Sequence, residues 1–136
     1  MKATNFKLEI TNDYSPMVLK HMKTQVQKGL IAIGAEAEGY AKADCPVDTG
    51  RLRNSITYAT STFHSSNSGE PATASDSATH TKPDENAVYL GSNVEYASYI
   101  EYGSKPHKTG KSHFIKDAIA NHSDHYKAIM KSALES

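Results

Sequence analysis

The longest periodic pattern in the chain runs from Pro16 to Asp44 and predicts a single long amphipathic helix. Its apolar residues recur every three or four positions, which is the spacing of one face of an α-helix. Ser15 followed by Pro16 is a favourable helix start. The helix should end before Pro46, because a proline restricts the residue before it and donates no backbone hydrogen bond. The apolar positions are Leu19, Met22, Val26, Leu30, Ile33, Ala37 and Tyr40.

A helix of this length is long for a chain of 136 residues, which is enough for about one domain. At ~1.5 Å per residue the helix would extend over roughly 40 Å. It therefore either forms the backbone of the whole domain or lends part of its apolar face to a neighbouring subunit. Gly29, Gly34 and Gly39 lie along it, and each costs about 1 kcal/mol relative to alanine. Their presence indicates close packing against another backbone.

Strand-type patterns lie on both sides of a polar segment. Alternation over residues 6–10 predicts a first strand, and the parity of the apolar residues predicts a second strand from Leu52 to Phe63. Residues 87–92 predict a third strand, antiparallel to the second. Residues 61–83 are mostly small and polar and can bury little apolar surface, so we expect a flexible loop or an extended hairpin tip there.

Two further helices are predicted after the third strand. A short aromatic helix is expected within residues 93–103, and a terminal helix from Phe114 to about Leu134. Because no strand–helix–strand unit repeats, an α+β fold is favoured over a parallel α/β sheet. The predicted architecture is one domain, residues 1–136, with the long N-terminal helix and the C-terminal helix packed on a small, mostly antiparallel sheet.

The balance of charges excludes a whole-molecule attraction to DNA or anionic lipid, because fifteen Lys and Arg residues offset fifteen Asp and Glu residues. No segment has the ~18 consecutive apolar residues of a membrane span, and the N-terminus lacks the apolar run of a signal peptide. The single cysteine, Cys45, cannot form an internal disulfide. These features predict a soluble protein of a reducing cytoplasm, without membrane contact.

Three weak patterns could support chemistry or binding. His122 and His125 are one helical turn apart and could share a metal ion, although packed or solvated histidines are the more common outcome. Cys45 could be a nucleophile, but its place before Pro46 favours a buried apolar side chain at a helix end. The basic loop over residues 105–113 leaves open an alternative function, a small nucleic-acid-binding protein. No convergent catalytic set emerges, and no metal or cofactor is expected. The residues by themselves indicate a soluble α+β protein with a long helix, a mobile loop and a possible interface.

The segment after the long helix predicts a tight structural turn. Asp48 can accept hydrogen bonds from the backbone ahead of it, and Gly50 can adopt the positive φ that such a turn requires. We also expect Asp48 to pair with Arg51 or Arg53. This turn motif consists of Pro46, Asp48, Thr49, Gly50, Arg51, Leu52 and Arg53.

A second cluster combines tyrosines with one aliphatic residue. Tyrosine has a large rigid ring and a polar tip, which is favourable both at the edge of a core and in a protein interface. We expect some of these side chains to pack in the core and others to contact a partner. The tyrosine cluster consists of Tyr96, Tyr99, Ile100, Tyr102 and Gly103.

Both segments resemble one protein family. Residues 43–56 read ADCPVDTGRLRNSI and resemble the A-x-x-P-V-D-T-G-x-L-R-x-S-I signature of small tail components of long-tailed phages, the gene-product-ten family of HK97-type phages. Residues 88–103 are similar to the second run of that family, V-G-t-n-v-x-Y-A-x-y-v-E-f-G-t. The two runs follow a long helix in the expected order, and the resemblance covers residues 19–134. One departure lies at residues 112–115, where the family often has a proline before the aromatic residue.

The resemblance implies a structural virion protein of a tailed phage or prophage, without enzymatic activity. Members of the family serve in tail completion and head–tail joining. We therefore expect a ring at the head-proximal end of the tail, in contact with neighbouring neck and tail-tube proteins. Six subunits are expected by analogy with tail symmetry, and assembly is expected in the host cytoplasm. Recognition of a specific nucleic-acid sequence is not expected.

Overall fold

A computed structural model describes residues 4–7, 16–47, 49–77, 83–102 and 113–135, with only the backbone described for residues 4–7, 98 and 99. None of the helices in these ranges is long and apolar enough to cross a membrane. A short 3-10 helix precedes the last strand. In chain order, the elements are β1 (Thr4–Lys7), α1 (Pro16–Asp44), α2 (Arg51–Ser55), β2 (Thr57–Ala59), the 3-10 helix (Ala74–Asp76), β3 (Ala87–Gly91), α3 (Ala97–Tyr102), α4 (Phe114–Ala120) and α5 (Ser123–Leu134).

Helix α1 has the bounds that its periodicity predicts. It packs against α4 and α5 and against β2 and β3. Its buried residues recur every three or four positions only from Gln25 onward. That part of α1 is the backbone of the fold. The buried apolar residues of α1 are Val26, Leu30, Ile33, Ala37 and Ala41.

The sheet has three antiparallel strands in the order β1-β3-β2. In the central strand, Leu90 pairs with Thr4 of β1 and with Tyr58 of β2. The antiparallel pairing predicted between the strands on either side of residues 61–83 is therefore confirmed, as is the α+β fold. The first strand is described over Thr4–Lys7, so residues 8–10 of its predicted range lie outside the described residues.

The predicted strand from Leu52 to Phe63 is wrong at both ends. Residues Arg51–Ser55 form α2, and the strand is confined to Thr57–Ala59. The Ser55 hydroxyl donates to the carbonyl of Leu52 at 2.6 Å, which closes this short turn of helix. Leu52 and Ile56 are four residues apart, so they satisfy the period of a helix as well as the parity of a strand.

The segment from Phe114 to Leu134, predicted as one terminal helix, forms two helices, so this prediction is corrected as well. Asn121 and His122 separate α4 from α5. The hydroxyl of Tyr126 donates to the carbonyl of Ala118 across this break. Because the chain changes direction at this break, α4 and α5 can both pack against α1.

Two of the three glycines of α1 face close neighbours, but these are side chains and not another backbone. A Cβ added at Gly34 would lie 2.8 Å from Cγ of Tyr58, and one at Gly29 would lie 2.7 Å from Sδ of Met130. Gly39 has nothing within 4 Å of such a Cβ. The predicted close packing is therefore correct at Gly29 and Gly34, but each of them faces a side chain and not, as predicted, another backbone.

Residues 61–77, named here the polar segment, fold back onto the domain. The Ser65 N–H donates to the carbonyl of Tyr58 at 2.9 Å, and the Ser68 N–H donates to the carbonyl of Asn54 at 2.9 Å. In these residues, polar contacts take the place of apolar burial. The flexibility expected of the loop stays a prediction. Residues 78–82 lie outside the described residues.

Candidate interaction site around Arg51 and helix α3

Arg51 is the centre of a charged cluster after helix α1. Its Nε and Nη2 donate to the two carboxylate oxygens of Asp76, at 3.0 and 2.9 Å. Its Nη1 and Nη2 donate to the two carboxylate oxygens of Glu95, at 3.0 and 3.1 Å. The guanidinium carbon also lies 5.8 Å from the centre of the Tyr96 ring. One side chain thus joins α2, the 3-10 helix and the turn before α3.

Asp76 is the buried member of this cluster, with 3% of its surface exposed. The hydrogen bond from Arg51, followed by the backbone N–H of Thr73, lowers the pKa of Asp76 to about 2. The same contact with Asp76 raises the pKa of Arg51. Both groups are therefore ionised near neutral pH, and the cluster is an ion-pair network and not a proton donor or acceptor.

The turn motif builds this network through its backbone. Gly50 has a φ of 90°, in the left-handed region that favours glycine, and it directly precedes α2. The Arg51 N–H donates to Oγ1 of Thr49 at 3.2 Å. Asp48 lies outside the described residues, so its predicted role in the turn stays a prediction. Of the other motif residues, Leu52 is buried, Pro46 is half-buried and Arg53 is exposed.

The carboxylates that face Arg51 were not found from the sequence. Asp76 lies in the middle of the polar segment, and Glu95 lies just before α3. A weak signal for Asp76 was present, because a threonine three residues before an aspartate matches a capping pattern. Thr73 and Asp76 do form such a reciprocal cap at the 3-10 helix.

Helix α3 places the tyrosine cluster at the border between core and surface. Tyr96 and Ile100 are half-buried and pack against the core, whereas Tyr102 is 72% exposed. The side chain of Tyr99 and the whole of Gly103 lie outside the described residues. The part of the cluster available for a partner in the described structure is therefore Tyr102.

Glu101 is a buried residue of α3 that sequence reasoning missed. Its two carboxylate oxygens accept the backbone N–H groups of Ile115 at 2.8 Å and Lys116 at 3.1 Å, in the first turn of α4. Its carbonyl accepts the His113 N–H at 2.8 Å. A carboxylate is favourable at this end of a helix because the N-terminal N–H groups are otherwise unpaired. No local signal identifies it, since twelve residues separate it from α4.

The three residues considered for catalysis or metal binding, Cys45, His122 and His125, are in contact with other side chains or buried. Cys45 is buried, and burial raises the pKa of its thiol to about 12, so the thiol is protonated and a poor nucleophile at neutral pH. The His122 ring stacks on Tyr40 with 3.6 Å between ring centres. Nε2 of His125 lies 3.6 Å from Oε2 of Glu36.

Metal binding and nucleic-acid binding gain no support from the described residues. Within the described ranges, no group of three or more His, Cys, Asp and Glu residues is placed to hold a metal ion. Residues 105–112 of the basic loop lie outside the described residues, and His113 is described only at the loop's end.

Exposed apolar side chains occur at both ends of helix α1. At its start, Met17 is 83% exposed. Beyond its end, Val47 is 39% exposed. Large apolar side chains in water mark sites of association when they are grouped.

The region that contains the long helix, the turn motif and the tyrosine cluster matches one family model. Residues 12–103, more than half of the chain, match the HK97-gp10-like family of bacteriophage tail components. The chain belongs to this family. The match extends over the turn motif and the tyrosine cluster and ends before α4, and it confirms the resemblance seen in the sequence. Comparisons with curated proteins and with solved structures found no match.

Proposed function

We propose that this phage tail component is a tail completion and head–tail joining protein that assembles as a ring at the head-proximal end of the tail. The match over residues 12–103 supports the proposal, because it assigns the chain to a family of tail components. The role is structural and not enzymatic. In this proposal the protein is part of the virion, is assembled in the host cytoplasm, and contacts neighbouring neck and tail-tube proteins.

The chemistry of the described residues agrees with a structural role. The Arg51 guanidinium is paired with the carboxylates of Asp76 and Glu95. The Cys45 thiol is buried, and the His122 ring is stacked on Tyr40. Exposed apolar side chains at the two ends of α1 suit a protein that is completed by contact with others.

Ring assembly can be tested on the purified chain. Light scattering over a wide concentration range should show a species larger than the monomer, and negative-stain images of it should show closed rings, with six subunits as the expected number. Leu30→Ala, a core variant, is the matched control, since it lowers stability without changing the exposed ends of α1. A chain that is monomeric at every concentration contradicts ring assembly by the isolated protein.

The joining role needs a test in the phage that encodes the chain. Deletion of the gene should leave filled heads and separate tails, and expression of the chain from a plasmid should restore joined particles. Normal numbers of infectious particles after deletion would contradict the proposed role.

A further inference from the structure

Helix α4 is capped by a residue of helix α3. His113, which directly precedes α4, makes no capping hydrogen bond with its side chain, although this position commonly holds a side chain that accepts from the first turn. The two carboxylate oxygens of Glu101 accept the N–H groups of Ile115 and Lys116 instead. The Glu101 carbonyl also accepts the His113 N–H. Glu101, His113, Ile115 and Lys116 are named here the latch.

The closed latch has three unfavourable features. His113 has a φ of 61°, in the left-handed region, where residues other than glycine are uncommon and strained. Its Nδ1 atom is buried and has no hydrogen-bond partner among the described residues, so this atom loses its hydration without compensation. Glu101 is 3% exposed, so its carboxylate is removed from water as well. The hydrogen bonds of the latch are therefore opposed by costs that opening removes.

Helix α3 is anchored in the core at its start and held by the latch at its end. Val94 and Ala97 are fully buried, and the Ala97 N–H donates to the Val94 carbonyl at 3.0 Å. Tyr102, the last residue of α3, is 72% exposed. Among the described elements, α4 is the one that α3 contacts most. Release of the latch therefore frees the end of α3 and leaves its start in place.

Opening of the latch uncovers little apolar surface. In the described part of the last turn of α3, Ile100 is the apolar side chain that packs against the core, and it is only half-buried. Phe114 and Ala118, which are fully buried, belong to α4 and can keep their places against α1. Because burial of apolar surface is the main force that holds a fold together, this motion requires less free energy than global unfolding.

We propose that the latch opens as a local unit: Glu101 leaves the first turn of α4, and the end of α3 separates from α4 while the core around α1 stays folded. The opening hydrates the Glu101 carboxylate and releases His113 from the left-handed conformation. It lets the exposed end of α3, with Tyr102, change its position relative to α4 without unfolding of the domain. The inference concerns the isolated chain and does not depend on ring assembly.

Hydrogen exchange of single amides, measured by NMR at several low urea concentrations, tests the latch in the purified chain. The N–H groups of Ile115 and Lys116 should exchange faster than that of Leu30 in α1, and with a weaker dependence on urea, because a local opening exposes little surface. The N–H of Ala118, further along α4, is the internal control and should behave like that of Leu30.

Two patterns of exchange would overturn the inference. If Ile115 and Lys116 have the exchange rate and the urea dependence of Leu30, the latch opens only with the whole domain. If Ala118 exchanges as fast as they do, the exchange arises from unwinding of α4 and not from separation of α3.

Glu101→Gln weakens the latch with little change in side-chain size. The amide has one acceptor oxygen in place of two and carries no charge, so Ile115 and Lys116 should exchange about tenfold faster or more. Glu36→Gln is the matched control, because Glu36 is exposed on α1 and lies beside His125, and it should leave both rates unchanged. Unchanged rates in Glu101→Gln would overturn the inference. If this variant does not fold, the exchange pattern of the unmodified chain still decides.

The global stability of a Glu101→Ala variant has an upper limit on its loss. Because the domain stays folded when the latch is open, loss of the Glu101 contacts can cost no more than the opening itself. In urea unfolding, the equilibrium constant for unfolding should rise by no more than the protection factor of Ile115 and Lys116 in the unmodified chain. A larger rise would show that Glu101 is required for the whole fold, which overturns local opening.

Discussion

The helical layer and the polar segment are held by different forces. In the helical layer, α1 packs against α4 and α5 through fully buried apolar side chains such as Leu30, Phe114 and Ile115. The polar segment, residues 61–77, is held by hydrogen bonds and by the Arg51–Asp76 ion pair. The first region depends on many small contacts, whereas the second depends on a few strong and directional ones.

This difference determines how each region responds to change. Burial of apolar groups is non-directional, so its loss at one position weakens the whole layer in proportion to the area removed. A buried ion pair depends on both partners, because removal of one leaves the other charge without compensation. We therefore expect global effects from variants of the helical layer and local effects from variants of the polar segment.

The largest effect is expected from Leu30→Ala in the helical layer. Leu30 is fully buried, and truncation of such a side chain costs about 2–5 kcal/mol through lost burial and the cavity left behind. Urea unfolding should show this decrease in the free energy of unfolding, with hydrogen exchange faster throughout the domain. Acceleration confined to residues near Leu30 would contradict a single cooperative layer.

Alanine substitutions at Gly34 and Gly39 of α1 should change the stability of the protein in opposite directions. Gly34→Ala should destabilise the protein by about 1–3 kcal/mol, because the added methyl group meets the ring of Tyr58. Gly39→Ala should stabilise it by about 1 kcal/mol, because nothing lies within 4 Å and alanine favours the helix. The thermal unfolding midpoint should fall for Gly34→Ala and rise for Gly39→Ala. Equal shifts of both midpoints in one direction would show that the Tyr58 ring does not restrict a side chain at position 34.

Arg51→Met should loosen the polar segment and change the global stability less than Leu30→Ala does. Removal of the guanidinium leaves Asp76 without its main partner, so the 3-10 helix should open. Hydrogen exchange should accelerate at Thr73, whose N–H donates to Asp76. The N–H of Ser65, which donates to Tyr58, is the internal control and should keep its protection. Equal acceleration at both amides would show that the segment opens as a unit with the sheet.

The smallest effect is expected in the pH dependence of stability. The pKa of Asp76 is about 2 in the folded protein against an ordinary value of 3.8, so the folded state binds fewer protons between these values. Its contribution is therefore present above about pH 4 and is lost as the pH falls toward 2. Asp76→Asn should remove this part of the slope when the free energy of unfolding is measured between pH 5 and 2. An unchanged slope would assign the dependence to other carboxylates.

The helical layer could be predicted from the sequence, whereas the polar segment could not. The apolar spacing in α1 and the prolines at its two ends are local signals, and they located its bounds correctly. Asp76 and Glu95 have no such periodicity, since a single charged residue indicates nothing about a partner 25 or 44 positions away. Glu101 is a similar case, because its partners belong to α4 and become neighbours only through the fold.

The two corrected elements have a common cause. Leu52 and Ile56 satisfy both periods, and the positive φ of Gly50 precedes the short helix that they form. The terminal pattern continues past Asn121 without a proline or glycine, yet the chain turns there so that α4 and α5 each cover part of α1. Local patterns predict which side chains are buried, but they do not predict how the elements that bury them are arranged in the fold.

The sequence by itself determined the α+β class, the length of α1 and the family motifs, because each depends on residues that are close in the chain. Only the tertiary structure decided that Arg51 binds Asp76 and Glu95, that Glu101 caps α4, and that the apolar stripe of α1 extends past its cover. These features depend on which surfaces meet after folding, and burial and ion pairing become effective only when distant segments are brought within a few ångströms of one another.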